Sequence, residues 1–339
     1  MKATLFTTLA TLAGAAMASP VEVVTRADVT EAQFKNFQLF AQYSAAAFCN
    51  NENPAGQKVQ CGGNWCPTVE AANVTTHSTF IGAFTDARGL IALDHTNKFI
   101  VVSYRGTVSA RNWITDLVFP QIPCDLTLGC LVHTGFLAAW GELRSRSIDG
   151  LRSAVAAYPK YQVVITGHSL GGAVATIAAG YLRKAGFKAD LYTYGSPRVG
   201  NSVFVKYVTN QAGAEYRVTH ETDPISRLPP IIFNFRHTSP EYWLREPTAS
   251  PSDVTVCTGY ANIACSAGQT GFDMAQHGDY FEPVNGCEQL PGTPWRTRDV
   301  SPAIPVTTRS DISDAELAKQ LAQWAQEDMS FAADLVDRA

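Results

Sequence analysis

The sequence predicts an α/β chain: a mainly parallel central sheet with helices on both faces. Three observations carry that prediction. Apolar, strand-like runs alternate with segments of helical periodicity through the middle of the chain. One of those runs, "YQVVIT", passes through a glycine-flanked turn straight into "LGGAVATIAAGYLRK". Another, "KFIVVSYRGT", ends in a polar loop followed by a short amphipathic stretch. Strand–helix–strand alternation favours parallel pairing, because the crossover helices then cover both faces of the sheet.

The elements follow in order. Residues 32–48 have helical periodicity. Leu90–Leu93 and Phe99–Tyr104 read as two strands joined by a polar turn. Phe136, Trp140, Leu143, Ile148, Leu151 and Val155 fall at helical spacing, and Pro159 follows the end of that helix. A strand at Tyr161–Thr166 leads through a tight turn into a helix running towards Lys184, with Gly186 as its C-cap. "DLYTYGSPR" and "AEYRVTH" are further strands. After residue 287 a Pro- and Thr-rich stretch leads to a last helix, opened by a Ser313–Glu316 capping box and striped by Leu317, Leu321, Trp324 and Met329. Docking of that stripe on the main domain is the plainest expectation.

Composition narrows the class. The chain has 339 residues, 46% hydrophobic and 17% charged, enough apolar material for a sizeable core. A net charge of -4 supplies no basic stripe for nucleic acid. Lys2, the apolar run after it and Ala16-Met17-Ala18 read as a secretory signal peptide over residues 1–18. Residues 19–29 read as a propeptide, 30–287 as the folded domain and 288–339 as a C-terminal extension with a helix. No later stretch is long enough to span a membrane.

Eight cysteines fit an exported, extracellular protein. Cys61 with Cys66, Cys124 with Cys130 and Cys257 with Cys265 are close couples, and short loops close cheaply. Cys49 and Cys287 remain, and their pairing would tie the start of the domain to its end. Eight cysteines allow about 105 connectivities, so other pairings stay open. Zinc is disfavoured: neither a Cys-x-x-Cys pair nor paired histidines accompany them. No motif calls for a metal, nucleotide or other cofactor. Asn73-Val74-Thr75 is an acceptor sequence for N-glycosylation.

The chemistry centres on Gly167-His168-Ser169-Leu170-Gly171. A G-x-S-x-G sequence alone is common; between a buried-looking strand and a helix it matches a nucleophile elbow. The bend forces the serine into a strained conformation, and side chains at the flanking glycines would clash with it. A serine hydroxyl needs a base, and the base an orienting acid. For such an elbow the chain order is Ser, Asp or Glu, His. Asp223 follows the strand ending at Thr219, at the carboxyl edge where reactive groups of open α/β sheets gather, whereas Asp190 starts a strand at the other edge. His220 lies almost beside Asp223 and reads as structural. His237, in an apparent strand, reads as packed and hydrogen-bonded. His277, beyond the irregular cysteine-bounded loop, is favoured as the base. Leu170 would supply one oxyanion N–H and Thr107 the second; losing such a donor typically costs on the order of 3 kcal/mol in the barrier.

Directly after Thr107, Trp113, Ile114 and Leu117 share one face of a short amphipathic helix. Burying each large apolar side chain is worth roughly 1.5–3 kcal/mol, so water disfavours exposing them and a lipid surface removes that penalty. A hinged helix at this place reads as a lid. An ordinary surface helix packed on the core is the alternative.

These residues resemble the secreted triacylglycerol lipases of filamentous fungi, the class 3 lipase family. The resembling segments include "FQLFAQYSAAAFC", "DHTNKFIVVSYRGT", "NWITDL", "VVITGHSLGGAVAT", "YTYGSPRVGN", "RVTHETDPISRLPP" and "HTSPEYW". The resemblance implies an α/β-hydrolase fold with Ser169, Asp223 and His277 as triad, an oxyanion hole at Thr107 and Leu170, and a lid centred on Trp113. It supports pairing Cys49 with Cys287, Cys61 with Cys66 and Cys124 with Cys130. The Cys257–Cys265 loop resembles an extra disulfide of some such lipases, and the tail resembles the extension of certain lipases from plant-associated fungi. The implied activity is cleavage of acylglycerol esters at a lipid droplet or membrane surface by a monomeric, secreted serine hydrolase. Protonation of His277 on acidification would remove its base. A feruloyl-type or phospholipid esterase on the same fold is the alternative, and an inactive secreted binding protein the alternative of another class.

Overall fold

The computed structural model describes residues 29–106, 119–245, 250–286 and 313–337. Its strands are β1 (Val74–Ile81), β2 (Arg88–Asp94), β3 (Phe99–Tyr104), β4 (Gln121–Pro123), β5 (Leu131–His133), β6 (Gln162–His168), β7 (Ala189–Tyr194), β8 (Glu215–His220), β9 (Glu241–Leu244), β10 (Val254–Cys257), β11 (Asp279–Tyr280) and β12 (Glu282–Pro283). The helices are α1 (Glu31–Cys49), α2 (Pro67–Ala71), α3 (Thr134–Ala157), α4 (Leu170–Lys184), α5 (Ser202–Thr209), α6 (Met274–His277) and α7 (Asp314–Asp337).

Among the described residues, eight strands form one sheet in the order β1-β2-β3-β6-β7-β8-β9-β10. The run β3-β6-β7-β8-β9 is parallel, as crossover helices require. Both margins are antiparallel: β1-β2-β3 on one side, β10 against β9 on the other. Short connections account for these margins. Only a polar turn separates Asp94 from Phe99, which pair directly, so no crossover helix fits there.

α1 covers one face. Thr30 and Gln33 form its capping box, and from Leu39 to Phe48 every residue is buried, which explains the run of small alanines. Phe37 and Phe40 pack on Tyr192 of β7, with Phe40 at 4.4 Å between ring centroids. α3 and α4 cover the other face, with Phe136, Trp140, Leu143 and Leu151 of α3 buried in that core. α4 is alanine-rich and buried from Gly171 to Arg183; Gly186 follows it at φ +96°.

Cys61–Cys66, Cys124–Cys130 and Cys257–Cys265 are disulfides. Cys287 lies outside the described residues, but Cys49 Sγ is 3.9 Å from the carbonyl oxygen of Gly286, the residue before it.

α7 docks on the domain. Ser313 and Glu316 exchange hydrogen bonds at its start. Leu317 and Leu321 are buried against Ile225 and Leu228, with Phe272, Met274 and Trp324 packed around them. The apolar stripe does not disclose Asp328, which is also buried and lies 2.8 Å from Arg198. Among the described residues no helix is long and apolar enough to cross a membrane.

Candidate active site

β6 delivers Ser169 to the N-terminus of α4. The serine has φ 58° and ψ -128°, a conformation costly for any residue with a Cβ, of order 1–3 kcal/mol. Close backbone approaches hold it there. A Cβ on Gly167 would sit 2.3 Å from the Gly171 carbonyl oxygen, and one on Gly171 would sit 2.1 Å from the Tyr104 carbonyl oxygen. Both glycines are therefore required for β3, β6 and α4 to meet at this corner. The Ser169 N–H is anchored on the Tyr194 carbonyl at 2.9 Å. Leu170 opens α4, so its N–H is one of the donors a helix start leaves without an internal partner.

The structure brings Asp223 and His277 together. Asp223 follows β8, and its two carboxylate oxygens lie 3.1 and 2.9 Å from His277 Nδ1. A carboxylate can only accept, so Nδ1 carries the proton and Nε2 is left as the basic nitrogen. Nε2 is buried and has no hydrogen-bond partner among the described residues.

Asp223 also accepts from the Ile225 N–H at 2.8 Å and from the Tyr280 hydroxyl at 2.7 Å. Burial pushes its carboxyl up, but the His277 charge and the bonds from His277, Tyr280 and Ile225 outweigh it and hold Asp223 below the usual carboxylate range. Burial, followed by the Asp223 charge, raises the Tyr280 phenol well above its ordinary value and keeps it a donor. Gly195, at φ +53°, leaves room for this cluster: a Cβ there would meet Asp223 Oδ2 at 2.7 Å and His277 Nδ1 at 3.0 Å. Tyr280 is not marked by the sequence alone; its spacing three residues after His277 is the one signal it gives.

His168 is the second omission. Its ring lies 4.5 Å from that of His277, and Nε2 is 2.6 Å from the His277 carbonyl oxygen. The other residues weighed from sequence fall elsewhere. Asp190 binds Gln162 and the Ala214 N–H at the start of β7. His220 binds the Asp279 carbonyl at 2.8 Å. His237 precedes β9 rather than lying in a strand, and its Nε2 is 2.6 Å from the Ser226 carbonyl. Burial, then the charges of Arg217 and Arg198, hold His237 well below the ordinary imidazole value.

Thr107, Trp113, Ile114 and Leu117 lie outside the described residues. Gly106 just before them passes beside the elbow: a Cβ on it would be 2.9 Å from the His168 carbonyl oxygen and 3.4 Å from Ser169 Cβ. Asn73 is exposed immediately before β1. Among the described residues, Cys61, Cys66 and Glu70 gather metal-type ligand atoms, but the two sulfurs are bonded to each other.

A strained serine at a strand–helix elbow beside a buried Asp–His pair is the geometry of α/β-hydrolase-fold serine hydrolases. Residues 101–233 match the family described as Lipase (class 3), and residues 5–77 match its N-terminal region, Lipase 3 N-terminal region. The chain is 45% identical over 307 residues to the secreted mono- and diacylglycerol lipase 1 of Fusarium solani, covering 89% of this chain and 88% of that one. It is 39% identical to the secreted mono- and diacylglycerol lipase A of Penicillium cyclopium, over 87% of this chain and 99% of the relative. The solved structure of a mutant form of MDLA from Penicillium cyclopium superposes with a TM-score of 0.73 at 40% identity, covering 76% of this chain and 99% of that one. This chain belongs to the class 3 lipase family.

Proposed function

We propose that the chain is secreted and hydrolyses acylglycerol esters at a lipid–water interface through an acyl-enzyme on Ser169. The observation that carries this reading is the buried Asp223–His277 pair lying against His168, the residue that precedes the elbow serine. His277 Nε2 takes the Ser169 proton as Oγ attacks the ester carbonyl; the Ser169–acyl bond forms and the glyceryl oxygen leaves with the proton returned by His277. Water, deprotonated by the same nitrogen, then cleaves the acyl-enzyme. Asp223 keeps Nδ1 protonated and offsets the imidazolium charge. The N–H groups of Leu170 and Thr107 are the oxyanion donors of this reading, and Trp113, Ile114 and Leu117 the apolar face of a lid that opens on lipid.

Partial glycerides belong among the substrates, since the Fusarium and Penicillium relatives are named for mono- and diacylglycerols. Export fits the three disulfides among the described residues, and Asn73 is exposed where a glycan would attach. The C-terminal extension, in the same reading, shields apolar surface beside the lid: Trp324 lies 5.6 Å from Phe119, the first described residue after the lid segment.

The test is the hydrolysis rate of short-chain mono-, di- and triacylglycerols, each scanned from below to above its solubility limit, with methyl ferulate in parallel. A jump in rate when droplets appear is expected. Smooth saturation, with ferulate turned over well, would overturn the lipid assignment and leave an esterase.

A further inference from the structure

We infer that His168 is a positioning residue that sets the distance between nucleophile and base, by donating a hydrogen bond from Nε2 to the backbone carbonyl of His277. The inference rests on Ser169 and His277 acting as proposed above.

His277 ends α6, a single turn of four residues, so its carbonyl has no place in a helical ladder. The segment around it is held by several ties, and nearly all lead to one side. His220 binds the Asp279 carbonyl at 2.8 Å. The Gln276 side chain accepts from the Thr222 N–H and hydroxyl, each at 2.7 Å. Tyr280 and the His277 imidazole bind Asp223. Every one of these partners lies in β8 or the loop after it, so they fix the base to its acid and leave its distance from Ser169 unspecified.

His168 supplies the missing tie. It is the last residue of β6, adjacent in the chain to Ser169, and its side chain is 1% exposed. A carbonyl only accepts, so the proton must sit on Nε2, and the 2.6 Å contact spans 109 residues of sequence. Nδ1 is correspondingly bare and has no partner among the described residues. A buried nitrogen left unpaired is costly, and an apolar side chain of similar size would avoid that cost. A histidine placed only to fill the core gains nothing from this arrangement; one placed for its Nε2–H does. Burial, then the nearby His277 charge, lowers the His168 imidazole to about 3, so the donor tautomer persists in acid.

Two variants separate the roles. His168→Met fills similar volume without a donor, and His168→Gln places an amide N–H at about the reach of Nε2. His168→Met is expected to lower kcat by roughly 10- to 100-fold with little change in KM, as a misplacement of about 1 Å would. His168→Gln is expected to recover most of that loss at a Tm similar to that of the Met variant. Equal kcat in the two variants, or a loss that follows Tm alone, overturns the inference. If neither variant folds, 15N imidazole spectra of the wild-type protein decide: His168 must be protonated at Nε2 and bare at Nδ1 down to about pH 4, and the opposite tautomer overturns it. Failure of the functional reading would look different, as a wild-type enzyme without esterase activity or one whose activity survives Ser169→Ala.

Discussion

Asp328, deep in the C-terminal helix, holds Arg198 at 2.8 Å across 130 residues, with both side chains almost completely buried. Its other oxygen accepts from the Ile231 N–H at 2.6 Å. A buried pair of this kind is weak evidence for stability, but removing one partner strands the other and typically costs about 3–5 kcal/mol. Asp328→Ala should therefore release α7. Amide exchange across residues 314–337 should accelerate by at least about 100-fold, with the rest of the domain nearly unchanged. Truncation at residue 290 should then alter activity on lipid; unchanged activity would mean that the extension covers nothing the substrate needs.

Ser169→Gly should be both inactive and more stable than Ser169→Ala. Glycine takes φ 58° without strain, whereas alanine keeps the Cβ penalty, and the difference should be about 1 kcal/mol or more. Both variants should lose hydrolysis by at least about 10⁴-fold. Chemical unfolding of the pair, side by side with a rate assay, checks this.

Tyr280→Phe removes one donor from the Asp223 carboxylate while leaving the ring packing intact. Hydrogen bonds to charged groups are worth about 1.5–3 kcal/mol, so a fall in kcat of about tenfold is expected, with KM nearly unchanged. Steady-state kinetics on a soluble short-chain ester measure it.

Stability should fall on acidification from about pH 6.5, before the carboxylates titrate. His168 and His237 are held neutral in the fold, His168 at about 3, while in the unfolded chain each takes a proton near 6.5. Below that pH the unfolded state binds more protons, and the stability these buried rings carry above it is progressively lost. Asp223 and Glu241, both held low, extend the loss below about pH 4. Glu215, raised by burial, works in the opposite sense and returns some stability as the pH falls. Unfolding free energies at pH 8, 6.5, 5 and 4 should trace this profile.

Much of the fold was legible because it rests on local patterns. Helical spacing located α1 and α3, a polar turn located the β2–β3 hairpin, and the glycines around Ser169 marked the elbow. Asp223 could be picked because chain order and the carboxyl edge of the sheet leave few candidates. What escaped were polar residues whose partners are far away in sequence. His168 reads as one letter of a motif until β6 and α6 are brought together. Tyr280 looks like an ordinary strand aromatic, and Asp328 interrupts an apolar stripe with no hint that Arg198 waits beneath it. The antiparallel pairings of β1 with β2 and of β10 with β9 escaped for another reason: pattern gives strands but not the direction of their neighbours.

The central claim is that Ser169 carries the acyl group. An alkyl phosphonate ester presented in mixed micelles, followed by peptide mapping, tests it most directly. A single adduct on Ser169, formed in step with loss of hydrolysis and absent in Ser169→Ala, is the predicted result. An enzyme that hydrolyses acylglycerols while Ser169 stays unmodified, or that is inactivated by an adduct elsewhere, would contradict it.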